Sequence, residues 1–100
     1  MTSRSVSRSA RTLGEYLAVW RKLRELTMEQ VAERANISRS TLYRIEHGNA
    51  NVSFESVLEV LRALGILDVV VNSTDPLKSD IGRLRLTEQV PERVRKATKK

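Results

Sequence analysis

Residues 37–48, ISRSTLYRIEHG, combine the apolar spacing of a short helix with side chains that can hydrogen-bond to nucleic-acid bases. Leu42 and Ile45 are spaced to point inward, so the side chains predicted to face outward are Arg39, Ser40, Tyr43 and Arg44. An arginine can donate two hydrogen bonds to O6 and N7 of one guanine. The segment therefore predicts a helix that contacts DNA bases. For each arginine the alternative is a phosphate contact, and for Tyr43 the alternative is simple packing on the protein surface.

Further residues around this helix are predicted to contact the DNA backbone. Hydroxyl and amide side chains, together with the N–H groups at helix starts, commonly bind phosphate oxygens. Ser38 and Thr41 lie at the start of the predicted helix, Asn49 and Asn51 follow its end, and Thr27 begins the helix before it. The complete predicted DNA-binding set is Thr27, Met28, Ser38, Arg39, Ser40, Thr41, Tyr43, Arg44, Asn49 and Asn51.

Capping residues predict four helices between residues 12 and 65. These helices must position the predicted DNA-binding residues. A Ser or Thr at a helix start accepts a hydrogen bond from a backbone N–H two or three residues on, and a Glu or Gln there can bond back. The third helix is predicted to turn sharply away from the second at Asn36, which tolerates a left-handed backbone. Gly48 and Gly65 are predicted to end the third and fourth helices; the predicted caps are Thr12, Thr27, Ser38 and Ser53.

Apolar residues at helical spacing predict the core of this domain. In the first helix the predicted buried residues are Leu13, Leu17 and Trp20. In the second they are Val31, Ala32 and Ala35, and in the fourth they are Phe54, Val57, Leu58, Leu61 and Leu64. Residues 12–65 are therefore expected to fold as one helical domain.

The hydrophobic pattern changes at residues 66–73, where a short β-branched run predicts a strand. A lone strand leaves backbone N–H and C=O groups unpaired at both edges, which is unfavourable without a partner. Two copies related by a twofold axis can pair such a strand, which predicts a homodimer. The predicted dimerisation residues are Leu67, Val69, Val70 and Val71, and the alternative is an extended loop that packs on the fourth helix.

The net charge of +6 is concentrated at the two ends of the chain. Residues 1–12 carry three arginines and no acidic residue, whereas residues 13–72 carry seven Lys or Arg against eight Asp or Glu. Residues 1–11 are predicted to be a disordered basic arm that contacts phosphates or the minor groove, or is simply solvated. Residues 74–100 are predicted to be a C-terminal extension, weakly helical at first and ending in a mobile basic tail.

Several classes of site are absent from the sequence. It contains no cysteine, no apolar run long enough to span a membrane, and one histidine, His47, without partners at metal-ligand or catalytic-triad spacing. No phosphate-binding glycine loop or paired catalytic carboxylates can be recognised. We therefore expect a protein that is not an enzyme, with no metal, cofactor or membrane partner, and located in the cytoplasm.

The segment LTMEQVAERANISRSTLYRIEHG, preceded by LGEYLAVWRKLRE and followed by VSFESVLEVLRALG, resembles the Cro/repressor-type (XRE) helix-turn-helix family. The resemblance implies a double-stranded DNA operator as partner and an ion pair between Arg21 and Glu46. Met28 replaces the glutamine that is common in the family, and Asn36 replaces the usual glycine. The expected fold is all-α, a Cro/repressor-like bundle of four to five helices with one short C-terminal strand that pairs across a dimer.

The strand and the ending DPLKSDIGRLRLTEQVPERVR resemble the HipB-type antitoxins. That resemblance implies a repressor that regulates its own operon and binds a HipA-like Ser/Thr kinase toxin. It also implies a bacterial cytoplasmic protein associated with the nucleoid. The alternative function is a stand-alone regulator, of phage or host type, without a toxin partner. A third possibility, a protein-binding module that does not read DNA, would be favoured by acidic or apolar residues where Arg39 and Arg44 stand.

Overall fold

The computed structural model describes residues 2–89. These residues form two compact units, one up to Leu67 and one that begins at Asp68. Within the described residues the chain is helical throughout and contains no strand. The α-helices are α1 Arg4–Leu23, α2 Met28–Ala35, α3 Arg39–Glu46, α4 Phe54–Ala63, α5 Leu67–Ser73 and α6 Asp80–Gln89, with a 3₁₀ helix, Pro76–Lys78, between the last two.

The predicted starts of α2, α3 and α4 are confirmed. Thr27 and Gln30 form a complete capping box, in which the Gln30 N–H donates to Thr27 Oγ1 at 3.0 Å and the Thr27 N–H donates to Gln30 Oε1 at 2.8 Å. Ser38 and Ser53 each accept a backbone N–H at 3.0 Å from the residue three positions on. Caps were predictable because the hydrogen bonds that define them are local in sequence.

The core of the first unit lies where α2 packs against α3 and α4, and α1 packs against α3. Val31, Leu42 and Val60 are completely buried. Each such side chain stabilises the fold by about 1.5–3 kcal/mol relative to an exposed one. The full core cluster comprises Leu17, Val31, Ala32, Ala35, Leu42, Ile45, Val60, Leu61, Leu64 and Ile66.

The first helix begins at Arg4, eight residues before the predicted start at Thr12, so residues 4–11 of the predicted disordered arm are helical. Ser3 is the N-cap, and its Oγ accepts the Val6 N–H at 3.2 Å. Residues 4–11 contain neither Gly nor Pro. Extending a helix already held by packing adds one hydrogen bond per residue without a new nucleation cost, which explains why this polar stretch is helical.

Two aromatic residues predicted to be buried are exposed. Trp20 is 39% exposed to solvent and Phe54 is 76% exposed, whereas Leu17 is 1% exposed. The Arg24 guanidinium lies over the Trp20 ring, 5.7 Å from its centroid. Leu13 is exposed as well, at 44%, so Leu17 is the one residue of the predicted stripe on α1 that is buried, and Gly14 is buried beside it.

The predicted strand at residues 66–73 is also wrong, because Leu67–Ser73 form helix α5. A helix satisfies its backbone groups internally, whereas a lone strand needs a partner at each edge. Asp68 lies in the first turn of α5, where a negative charge favours the helix dipole. The β-branched preference of valine is weak enough for these effects to override it.

The second unit contains the helix predicted in the C-terminal extension. Helix α6 begins at Asp80, and Ser79 Oγ accepts the Gly82 N–H at 2.9 Å near its start. The mobile basic tail predicted at the end of the chain lies mostly outside the described residues, since residues 90–100 are not among them. Among residues 2–89, every helix is too short or too polar to cross a bilayer.

Candidate nucleic-acid interface

The turn between α2 and α3 holds the two helices in a fixed relation. Asn36 adopts the left-handed conformation predicted for it, with φ 57° and ψ 41°. The N–H of Ile37 then donates to the Ala32 carbonyl at 3.0 Å, which closes the end of α2. Ala32 and Ala35 are small and buried, so α3 can approach α2 closely.

One side of α3 is buried and the other is open. Leu42 and Ile45 are 0% and 5% exposed, as their spacing predicted. The side chains on the opposite side are exposed: Arg39, Ser40, Tyr43 and Arg44. The structure therefore presents a short rod with two guanidinium groups, a serine hydroxyl and a phenol on one face.

Hydroxyl groups form a local network at the start of α3. Ser38 Oγ accepts the Thr41 N–H, lies 3.2 Å from Ser40 Oγ, and donates to Thr41 Oγ1 at 2.8 Å. Arg44 Nη2 reaches back toward Thr41 Oγ1 at 3.4 Å, a long hydrogen bond. Ser38 and Thr41 thus stabilise the helix start, while the Arg44 side chain extends toward the end of α3 that can meet base edges.

Tyr43 is held in place by His47, one turn further along α3. The two rings stack with their centroids 3.8 Å apart and an angle of 19° between planes. The His47 Nδ1–H donates to the Tyr43 carbonyl at 2.8 Å. This fixes the imidazole and limits the motion of the phenol ring, which is 53% exposed. The sequence analysis did not predict this stacking, for which the i, i+4 spacing of the two aromatic rings on one helix was the available signal.

The start of α2 borders the same surface. Met28 is partly buried and lines a groove together with Tyr43 and His47 of α3. Thr27 uses its hydroxyl for the capping box, where it accepts the N–H of Gln30. The N–H groups of Met28 and Glu29 have no acceptor within the helix, so they could bind an anion such as a phosphate.

The loop after α3 is a tight turn. Gly48 has φ 82°, and the Asn49 N–H donates to the Arg44 carbonyl at 2.9 Å. Asn49 Oδ1 accepts the Asn51 N–H at 2.8 Å, so this amide supports the turn, while Asn51 remains exposed.

An ion pair joins α1 to the end of α3. Arg21 Nε donates to Glu46 Oε2 at 2.8 Å, and Arg21 Nη2 donates to Glu46 Oε1 at 3.2 Å. Arg21 Nη1 also donates to the Leu26 carbonyl at 3.2 Å. The two side chains are only 12% and 5% exposed, so this shielded, bidentate pair holds the end of α3 against α1.

Gly14 is a positioning residue that the sequence analysis did not select. A Cβ atom at this position would lie 2.8 Å from the Glu46 carbonyl oxygen and would also meet that of Ile45. The glycine therefore lets α1 approach the backbone of α3 directly, next to the ion pair. An isolated glycine within a helical pattern was the available signal, since such residues usually have a packing reason.

The predicted dimerisation residues do not form a sheet edge. All four lie on α5, where Val69, Val70 and Val71 are exposed and Leu67 contacts the core of the first unit. The strand on which the homodimer prediction was based is therefore absent from the described residues, and the homodimer stays a prediction.

Comparison with known proteins supports the geometry of α2 and α3. Residues 12–73 match the family model described as "Helix-turn-helix domain". The chain is also 46% identical over 55 residues to the immunity repressor protein of Bacillus phage phi105, a match that covers 55% of this chain and 38% of the relative. The chain thus aligns with well under half the length of that curated relative. No solved structure matches at a significant level. Since the matching segment spans more than half of the residues, the chain belongs to the helix-turn-helix domain family, a membership that implies DNA binding.

Proposed function

We propose that this protein is a sequence-specific, DNA-binding transcriptional repressor of the phage type that acts without a toxin partner. The observation that carries the proposal is the exposed polar face of α3, which includes Arg39 and Arg44. The opposite side of this helix is held to α1 by the Arg21–Glu46 ion pair. The similarity to a phage immunity repressor supports this function.

In the proposed complex, α3 lies in the major groove. This recognition helix, α3, meets base edges with its N-terminal half, where Arg39 stands and toward which the Arg44 side chain reaches back. These two arginines are the best candidates for guanine contacts. The first turn of α2, the hydroxyl groups at the start of α3 and Asn51 bind phosphates and set the register. Occupation of the operator then blocks access by RNA polymerase.

The HipB-type antitoxin function has lost part of its support. Its resemblance included a strand at residues 66–73, where the structure has a helix. Binding of a HipA-like kinase toxin therefore stays a prediction, and the repressor function proposed here does not require it.

The test uses DNA selected from a random-sequence pool by the parent protein. Arg44→Ala should bind the selected operator more weakly and lose preference at one base position per half-site, a loss of about 1–3 kcal/mol in discrimination. The matched control is Arg24→Ala, because Arg24 lies over Trp20 on α1 and not on α3. If the pool yields no consensus, or if Arg44→Ala retains every base preference of the parent, the proposal is wrong for this residue and this face.

A further inference from the structure

The first two turns of α1 carry a basic stripe, formed by Arg4, Arg8 and Arg11. Their i, i+4, i+7 spacing places them on one face of the helix, over an axial length of about 10 Å. All three residues are exposed. Among residues 2–89 the three ion pairs engage Arg21, Arg62 and Arg83, so this stripe takes part in none of them.

The basic stripe continues the surface of the recognition helix. The backbone of Arg11 lies against the end of α3, since a Cβ atom on Gly48 would be 2.6 Å from Arg11 Cα. Arg11 lines the groove that also contains Tyr43 and His47 of α3. It equally lines the adjoining groove that contains Arg4 and Arg8. One residue thus joins the two grooves into a continuous surface.

The stripe is unfavourable for the isolated protein. Arg4 stands in the first turn of α1, where no acidic residue is present and a positive charge opposes the helix dipole. Arg8 adds a like-charge neighbour at i+4, which further destabilises the helix. A polyanion bound along this face would relieve both costs.

The charge distribution also favours a nucleic acid as the partner. Residues 13–72, which contain α2 and α3, have one more acidic than basic residue. Non-specific affinity for DNA comes almost entirely from cations that neutralise phosphates. The three arginines before residue 13 supply the positive charge that the helix-turn-helix lacks.

From these observations we infer that Arg4, Arg8 and Arg11 form a rigid phosphate clamp, which binds the DNA backbone beside the groove occupied by α3. This inference rests on the proposed function and deepens it. Because the stripe is helical, it is a fixed extension of the interface and not a flexible arm, and it contributes affinity without base preference.

The main test compares the salt dependence of DNA binding in the parent, in Arg4→Gln/Arg8→Gln/Arg11→Gln, and in two single variants. Glutamine preserves helix propensity while removing the charge. The probes are the operator duplex selected by the parent and a scrambled duplex of equal length. Each lost contact should lower the slope of log affinity against log salt concentration by about 0.9, or roughly 2.7 for the triple variant.

The single variants supply a matched control. Arg8→Gln should lower the slope by about 0.9, whereas Arg24→Gln should leave it unchanged. Arg24 lies over Trp20, and Trp20 is nine residues after Arg11, which is half a turn out of phase at 3.6 residues per turn. Each variant removes one positive charge, Arg8 from the second turn of α1 and Arg24 from the residue that caps its C-terminal end.

A further variant separates a rigid clamp from a flexible arm. Ser9→Pro keeps all three arginines but breaks the helix between Arg4 and the packed part of α1. A slope reduced by Ser9→Pro, with the circular dichroism of the rest of the domain retained, supports the rigid clamp. An unchanged slope overturns it.

The outcomes also separate this inference from the proposed function. An equal loss of affinity for operator and scrambled duplex in the triple variant supports phosphate contact. A triple variant with the parent slope overturns the clamp while Arg44→Ala can still confirm base reading by α3. A parent that binds both duplexes equally overturns sequence-specific reading by α3, and a parent that binds neither duplex overturns both.

Discussion

The oppositely charged side chains of Arg21 and Glu46 form an ion pair that is largely shielded from solvent. Neither side chain lies on the exposed face of the recognition helix, yet the pair holds that helix against α1. Replacing Glu46 by Ala leaves the Arg21 guanidinium shielded from water without its counter-charge. We expect Glu46→Ala to lower the free energy of unfolding by about 3–5 kcal/mol, since breaking a buried pair costs more than the pair contributes. Urea denaturation followed by circular dichroism measures this loss.

The control for that variant is Glu59→Ala. Glu59 accepts a hydrogen bond from Arg62 at 2.8 Å, but these side chains are 35% and 54% exposed. Exposed pairs contribute only about 0.2–1 kcal/mol. Similar losses of stability in the Glu46 and Glu59 variants would contradict the role of shielding.

Residues whose roles depend on local hydrogen bonds were the most predictable. The cap at Ser38 and the left-handed Asn36 follow from side-chain chemistry within a few positions of the chain. Trp20 and Phe54 were mispredicted because burial depends on which face meets another helix. Periodicity identifies an apolar stripe but does not fix its orientation to within one side chain.

Helix α1 approaches α3 most closely at Gly14, so a methyl group there has two opposing effects. Alanine is about 1 kcal/mol better than glycine within a helix, yet its Cβ would collide with the backbone carbonyl groups of Ile45 and Glu46. These acceptors are main-chain atoms and cannot rotate away. We expect Gly14→Ala to lower the melting temperature and to weaken operator binding, because it displaces the recognition helix.

Ser9→Ala is the corresponding control on the same helix. Ser9 is exposed, so alanine gains helix propensity there without a collision. Its melting temperature should be equal to or above that of the parent. A Gly14→Ala protein that is as stable as Ser9→Ala would show that α1 and α3 are not in such close contact.

The valines of α5 provide a direct test of helix against strand. Val69 and Val71 are exposed, and alanine has a higher helix propensity than valine but a lower β propensity. Val69→Ala/Val71→Ala should therefore make the ellipticity at 222 nm more negative or leave it unchanged, with no loss of stability. A decrease in helical signal together with weaker self-association in sedimentation would instead support the paired strand.

The outcome at α5 shows which parts of the fold the sequence determines strongly. Helices α2 and α3 have a cap, an amphipathic pattern and a turn residue that all indicate the same structure. Residues 66–73 offered only β-branched composition, and the backbone requirement for paired hydrogen bonds decided against a strand. The exposed polar face of α3 was predictable because it lies opposite the buried Leu42 and Ile45, and DNA contact by that face stays a prediction.

At the scale of the whole molecule, the remaining question for the proposed repressor is how many copies bind one operator. If two copies bind as a rigid twofold pair, their recognition helices enter successive major grooves about 34–36 Å apart. Inserting five base pairs between the selected half-sites turns one half-site to the opposite side of the duplex. Affinity for that duplex, measured by a gel-shift titration, should then fall to the value for a single half-site, because only one recognition helix of the pair can reach its groove. Independent binding by single chains predicts the reverse, namely equal affinity for both duplexes, and this result would exclude the rigid pair while leaving base reading by α3 intact.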